Sequence, residues 1–206
     1  MRILFFFANS ADAYMDIERE HRTLQQLADA AGHTLRVLPA AEINDLCEVL
    51  QSADPDEHYD VLHFSGHVSE DQGLELRGNG RTRDVLDGDA LQALLSGTGV
   101  KLVVLNACHS ESLATLLSEV VPAAIGTTRK VRDVAARQFT REFYAALMHD
   151  VDAEQAFDRA LQRQKQSATP AYVVKGNLAH AFLPPTRIIG DARRKRSRGR
   201  KADVLN

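Results

Sequence analysis

Two reactive side chains end apolar runs in this sequence. His67 closes Val61-Leu62-His63-Phe64-Ser65-Gly66-His67, and Cys108 closes Lys101-Leu102-Val103-Val104-Leu105-Asn106-Ala107-Cys108, forty-one positions later. Each run is followed at once by polar sequence. An imidazole next to a thiol makes a nucleophile and its base, since a thiol near pKa 8.5 is only a few per cent thiolate at neutral pH until a base assists it. Cys108 also precedes a helical segment, whose free N–H groups favour an anion. Those groups, with the backbone around Gly66-His67-Val68, are candidate donors for a tetrahedral oxyanion. Taken alone, a cysteine at a strand end is more often a small buried hydrophobe, and His67 is one of eight histidines. Cys47 falls on an apolar helical position and is expected in the core. His63, inside its apolar run, is expected to be buried and hydrogen-bonded. His109, beside Cys108, is a rival base, although a side chain adjacent in sequence to a nucleophile usually points away from it.

The elements that must position these groups follow from periodicity. Arg2 to Ala8 is a continuous apolar run, the profile of a strand buried on both faces. Tyr14 to Ala31 turns helical, with Ile17, Leu24, Leu27 and Ala31 on one stripe and Gly32 as its stop. Thr34 to Leu38 reads as a strand and Ala41 to Ala53 as a helix. The third strand runs from Asp60 into His67. Leu74 to Arg77 and Arg81 to Leu86, joined through Gly78-Asn79-Gly80, form a hairpin. A short helix over Asp89 to Leu95 leads into the strand that ends at Cys108. Leu113 to Val120 is helical, Ala123 to Thr127 a strand, Val131 to Met148 and Ala153 to Gln166 helices, and Ala171 to Lys175 one more strand. Strands alternating with helices imply an α/β fold, a mostly parallel sheet covered on both faces. In such a sheet ligands bind beyond the carboxyl ends of the strands, where His67 and Cys108 fall.

Composition narrows the function. The 206 residues are 44% hydrophobic and 26% charged, with 12 Gly, 6 Pro and 2 Cys, which is ordinary for a globular protein and excludes collagen-like and low-complexity classes. No stretch approaches the roughly 20 apolar residues of a membrane helix, and no small-residue cleavage site follows the apolar start, so neither a membrane nor a secretion signal is expected. Two cysteines make no disulfide framework, and a reducing cytoplasmic setting is expected. The net charge of −3 is uneven: residues 191–206 hold seven Lys/Arg and two acids, leaving −8 in residues 1–190. One domain over 1–190 with a basic, disordered tail over 191–206 is therefore expected. Only that tail offers a nucleic-acid contact. No P-loop, zinc spacing, dinucleotide fingerprint or Gly-x-Ser-x-Gly elbow is present, so no cofactor is called for.

The two His and Cys segments, in this order and spacing, resemble the CHAT domain, a caspase-like cysteine peptidase family of bacteria in the clan of caspases, metacaspases and separase. Ile3-Leu4-Phe5-Phe6-Phe7-Ala8-Asn9, Ala124-Ile125-Gly126-Thr127-Thr128, Phe139-Thr140-Arg141-Glu142-Phe143-Tyr144 and Ala153-Glu154-Gln155-Ala156-Phe157 extend the likeness from about residue 2 to about residue 165. The resemblance implies a three-layer αβα sandwich and a cysteine endopeptidase, with His67 and Cys108 as the catalytic pair. It implies oxyanion donors at the main chain of Cys108 and Val68. The family usually has Gly after the histidine, so Val68 leaves three alternatives: a different loop, an oxyanion hole completed on activation, or a catalytically inactive module. Metacaspases commonly carry Asp two residues before the nucleophile. The neutral Asn106 stands there in this chain, so no strong preference for Arg or Lys is expected from it, while Asp12 could still supply a charge to the substrate pocket. Family members are typically joined to sensor or signalling modules, and several act in bacterial defence. An activating partner in trans and a protein substrate are accordingly expected. Besides an inactive CHAT-fold interaction module, the rivals are a nucleic-acid-binding protein acting through the tail and a hydrolase or transferase of small molecules.

Overall fold

A computed structural model of the chain describes residues 1–9, 15–54, 57–79, 82–149, 151–165 and 171–182. Its centre is a six-stranded sheet of order β2-β1-β3-β7-β8-β9. The strands are β1 (Arg2–Phe7), β2 (Thr34–Pro39), β3 (Val61–Ser65), β7 (Leu102–Asn106), β8 (Ala123–Thr127) and β9 (Tyr172–Gly176). All pairs are parallel except β8–β9, where the last strand returns antiparallel.

Alternation along the strands divides the core. Ile3, Phe5 and Phe7 of β1 pack on one face beneath α1 (Ile17–Ala31), α5 (Asp133–Leu147) and α6 (Ala153–Lys165). Leu4, Phe6 and Ala8 pack on the other, with α2 (Ile43–Leu50), α3 (Gly88–Leu95) and α4 (Glu111–Leu117). Strands covered on both sides have no polar face, which is why the sequence reads as unbroken apolar runs. α1 ends where Gly32 adopts φ 69°, the left-handed conformation that a residue with Cβ resists. A short α7 (Leu178–Ala181) follows β9.

The expected third strand is shorter than its apolar run. β3 stops at Ser65, and after Gly66 the chain enters β4 (His67–Val68), first strand of a separate antiparallel sheet with β5 (Leu74–Arg77) and β6 (Arg83–Leu86). Gly66 makes the transfer possible: a Cβ there would lie 2.5 Å from the Phe64 ring and 3.2 Å from the Ala8 carbonyl oxygen. Cys47, expected in the core, is only partly buried on α2. Among the described residues no helix is long and apolar enough to cross a membrane.

Candidate active site

β3 and β7 are neighbours in register, with Ser65 opposite Asn106. His67 and Cys108 each stand two residues further along, on the same rim of the sheet. Alternation gives residues 63 and 65 of β3 and 104 and 106 of β7 a common facing toward α1 and α5.

Behind β7 the chain turns sharply. His109 takes φ 56° and its side chain is exposed, so it is carried outward rather than onto the thiol. The turn is braced from β8: the Thr127 hydroxyl donates to the Ala107 carbonyl at 2.5 Å, and the Thr127 N–H donates to Ser110 Oγ at 3.0 Å. β8 comes this close because Gly126 lacks a side chain; a Cβ there would stand 2.7 Å from the Ser110 carbonyl oxygen. Cys108 is partly buried, and its Sγ accepts the Val131 N–H at 3.4 Å while lying 3.8 Å from the Val131 carbonyl oxygen, which its S–H can reach. The main chain between β8 and α5 thus holds the sulfur from above.

His67 is half-buried in β4, paired in register with Glu75 of β5. Val68 is not among the residues of positive φ; it is extended strand. The Ser69 N–H donates to the Gly73 carbonyl at 2.8 Å, which makes Val68 and Leu74 the non-hydrogen-bonded pair of the ladder. In that position the Val68 N–H points away from β5 and is not consumed by it. Val68 is thus accommodated without backbone strain, in an extended segment that a β-branched residue favours.

Below the rim lies a polar hub that the sequence did not single out. Glu20 of α1, 3% exposed, accepts from His63 Nε2 at 3.0 Å, Asn106 Nδ2 at 2.6 Å and the Thr140 hydroxyl at 2.6 Å through Oε1. Its Oε2 accepts from the Ser65 hydroxyl at 2.9 Å. His63 Nδ1 lies 2.9 Å from the Tyr144 hydroxyl, and Tyr172 donates its hydroxyl to Asn106 Oδ1. Burial by itself would raise the Glu20 pKa, but hydrogen bonds and charge from His63, with those of Thr140 and Asn106, hold it below its ordinary value, so it is an anion. Burial and then the Glu20 charge push both Tyr144 and Tyr172 well up, and Cys108 adds to the rise at Tyr172. His63 is fully buried and hydrogen-bonded, as expected. Asn106 is 7% exposed, with both ends of its amide engaged. Asp12 lies outside the described residues, as does the basic tail. The overlooked signal was Glu20 itself: it sits on the buried stripe Ile17, Glu20, Leu24, Ala28, where a charge needs a partner.

A cavity of about 20 Å³, room for roughly one water, opens beside the hub between Asp16, Glu20, Ser65, Asn106, Asp133 and Arg137. A family model described as the CHAT domain matches residues 10–173. The chain belongs to this family. Solved structures similar to this CHAT domain include the Drosophila initiator caspase Dronc, at 11% identity and TM-score 0.60, covering 86% of this chain and 80% of that one. Caspase-1 from Spodoptera frugiperda matches at 14% identity and TM-score 0.57, covering 85% of each chain. A secreted C11 cysteine protease from Bacteroides thetaiotaomicron matches at 14% and 0.55, over 87% of this chain and 67% of that one. No curated protein matches by sequence. At these identities the likeness is one of fold: a caspase-like α/β sandwich, as the resemblance implied.

Proposed function

We propose that this CHAT domain is a cysteine endopeptidase that cuts a protein substrate through Cys108 and His67. The observation that supports the reading most is the register of β3 against β7, since the chain positions of the imidazole and the thiol continue two paired neighbours on one rim. His67 takes the Cys108 proton as the sulfur adds to the scissile carbonyl. The N–H groups of Val68 and Cys108 receive the oxyanion. His67 then protonates the leaving amine, and water, with His67 as base, hydrolyses the acyl-thioester. No step requires a metal or coenzyme.

Asn106 is a poor anchor for a basic substrate side chain, because its oxygen is taken by Tyr172 and its amide by Glu20. Strong selection for Arg or Lys is not expected from that position. The contact of Val131 with the sulfur supports control by a partner. The sulfur meets both the Val131 carbonyl at 3.8 Å and the Val131 N–H at 3.4 Å, so a shift of the segment between β8 and α5 would change the polar contacts of the nucleophile directly. A sensor protein acting in trans, in a bacterial defence or signalling setting, would supply that shift. A positional-scanning peptide library incubated with wild type and Cys108→Ala, read by mass spectrometry, tests the reading. Cleavage lost in the variant is the expected result. Peptides left intact by wild type, with and without candidate activating proteins, would favour a non-catalytic interaction module.

A further inference from the structure

Resting on the endopeptidase reading, we infer that Glu20 is a positioning residue of the site, the single carboxylate that fixes the ends of β3 and β7 against each other so that His67 and Cys108 meet. Its four donors come from three separate elements: His63 and Ser65 of β3, Asn106 of β7 and Thr140 of α5. They lie 43, 45, 86 and 120 residues from Glu20 along the chain. Through Asn106 the hub also engages Tyr172 of β9, whose ring stacks on Phe139 of α5 at 3.7 Å.

Ser65 and Asn106 are the last residues of their strands, and the reacting groups follow two residues on in each segment. Whatever fixes the azimuth and height of Ser65 and Asn106 therefore fixes the launch points of His67 and Cys108. One carboxylate receiving both does that, and it also settles the direction of each donor. Asn106 is oriented with nitrogen to Glu20 and oxygen to Tyr172. His63 is held at both ring nitrogens, Nε2 by the carboxylate and Nδ1 by the Tyr144 hydroxyl.

Stability alone is a weak reason for such a group, because a buried ion with its partners is often no better than apolar packing of the same volume. Geometry is the stronger reason. A displacement of about 1 Å in a reacting group can cost 10²-fold in rate, even when its origin lies outside the chemistry.

The test uses the full chain with Glu20→Gln, Glu20→Asp and wild type, each checked for folding by far-UV circular dichroism and thermal melting. On a reporter peptide chosen from the wild-type library, folded Glu20→Gln is expected to lose about 10²-fold in kcat with KM within about threefold. Glu20→Asp, which keeps the charge one methylene short, recovers part of that loss. A second arm needs no substrate: the rate at which iodoacetamide alkylates Cys108 in wild type, His67→Ala, Glu20→Gln and the double variant. If Glu20 holds the pair together, His67→Ala slows alkylation less in the Glu20→Gln background, a non-additive cycle. An unchanged kcat in folded Glu20→Gln, a loss confined to KM, or an additive cycle would overturn the inference. Should Glu20→Gln fail to fold, Ser65→Ala and Thr140→Val, each deleting one donor, carry both arms, with losses of about 3–10-fold expected. A wild-type chain that cleaves nothing, with and without candidate activating proteins, sinks the endopeptidase reading, yet the alkylation cycle still decides the role of Glu20.

Discussion

Cys108 and His67 carry different burdens, and their substitutions separate them. Cys108→Ala is expected to abolish peptide cleavage outright, because no acyl-thioester can form. His67→Ala keeps the nucleophile but loses its base and acid, and a fall of about 10²–10⁴-fold in kcat is expected by steady-state assay. Glu20 makes a prediction of another kind. Its folded-state pKa lies below the ordinary 4.5 because the donors outweigh burial. The stability it contributes is therefore present above 4.5 and is lost as pH falls through the depressed value. Urea midpoints measured from pH 7 down to pH 3 should decline more steeply for wild type than for Glu20→Gln; parallel curves would show that the carboxylate carries no folding linkage.

At the scale of elements, most of the architecture was legible because strands buried on both faces leave unmistakable runs: Arg2 to Phe7 and Ala123 to Thr127 emerged almost as read. Gly32 stopped α1 through its backbone conformation alone. The transfer from β3 into β4 was not legible, since Gly66-His67 continues the apolar run and only the folded surroundings of Phe64 and Ala8 show that the position must be glycine. The hub was missed for a different reason. A polar residue on a buried stripe announces that it has a partner, but not which one, and the partners of Glu20 are brought in by tertiary folding. His67 and Cys108 were singled out by type, position and family resemblance; Val131 gave no signal, because it meets the sulfur through its main chain. Gly126 offers the test at this scale. Gly126→Ala puts a carbon 2.7 Å from the Ser110 carbonyl oxygen and 2.8 Å from Ala114 Cβ, and neither can yield freely. A loss of about 1–3 kcal/mol in urea unfolding is expected, accompanied by reduced turnover as the bend that presents Cys108 is pushed out of place.

For the whole molecule, charge and chemistry are separable. Removing residues 191–206 takes away seven basic and two acidic residues and shifts the net charge from −3 to −8. Peptide hydrolysis by the shortened chain is expected to equal that of the full one, while any retention on a heparin column should vanish. Loss of hydrolysis on truncation would move the function into the tail. The placement of β3 and β7 has one more consequence. They occupy the third and fourth places of six, each flanked by paired strands and covered above and below. The proposed cutting centre thus rests on the most enclosed strands of the sheet, away from its open edges. Heat should then extinguish the proposed activity only where the entire fold dissolves, with loss of hydrolysis and loss of ellipticity superimposed on one temperature curve.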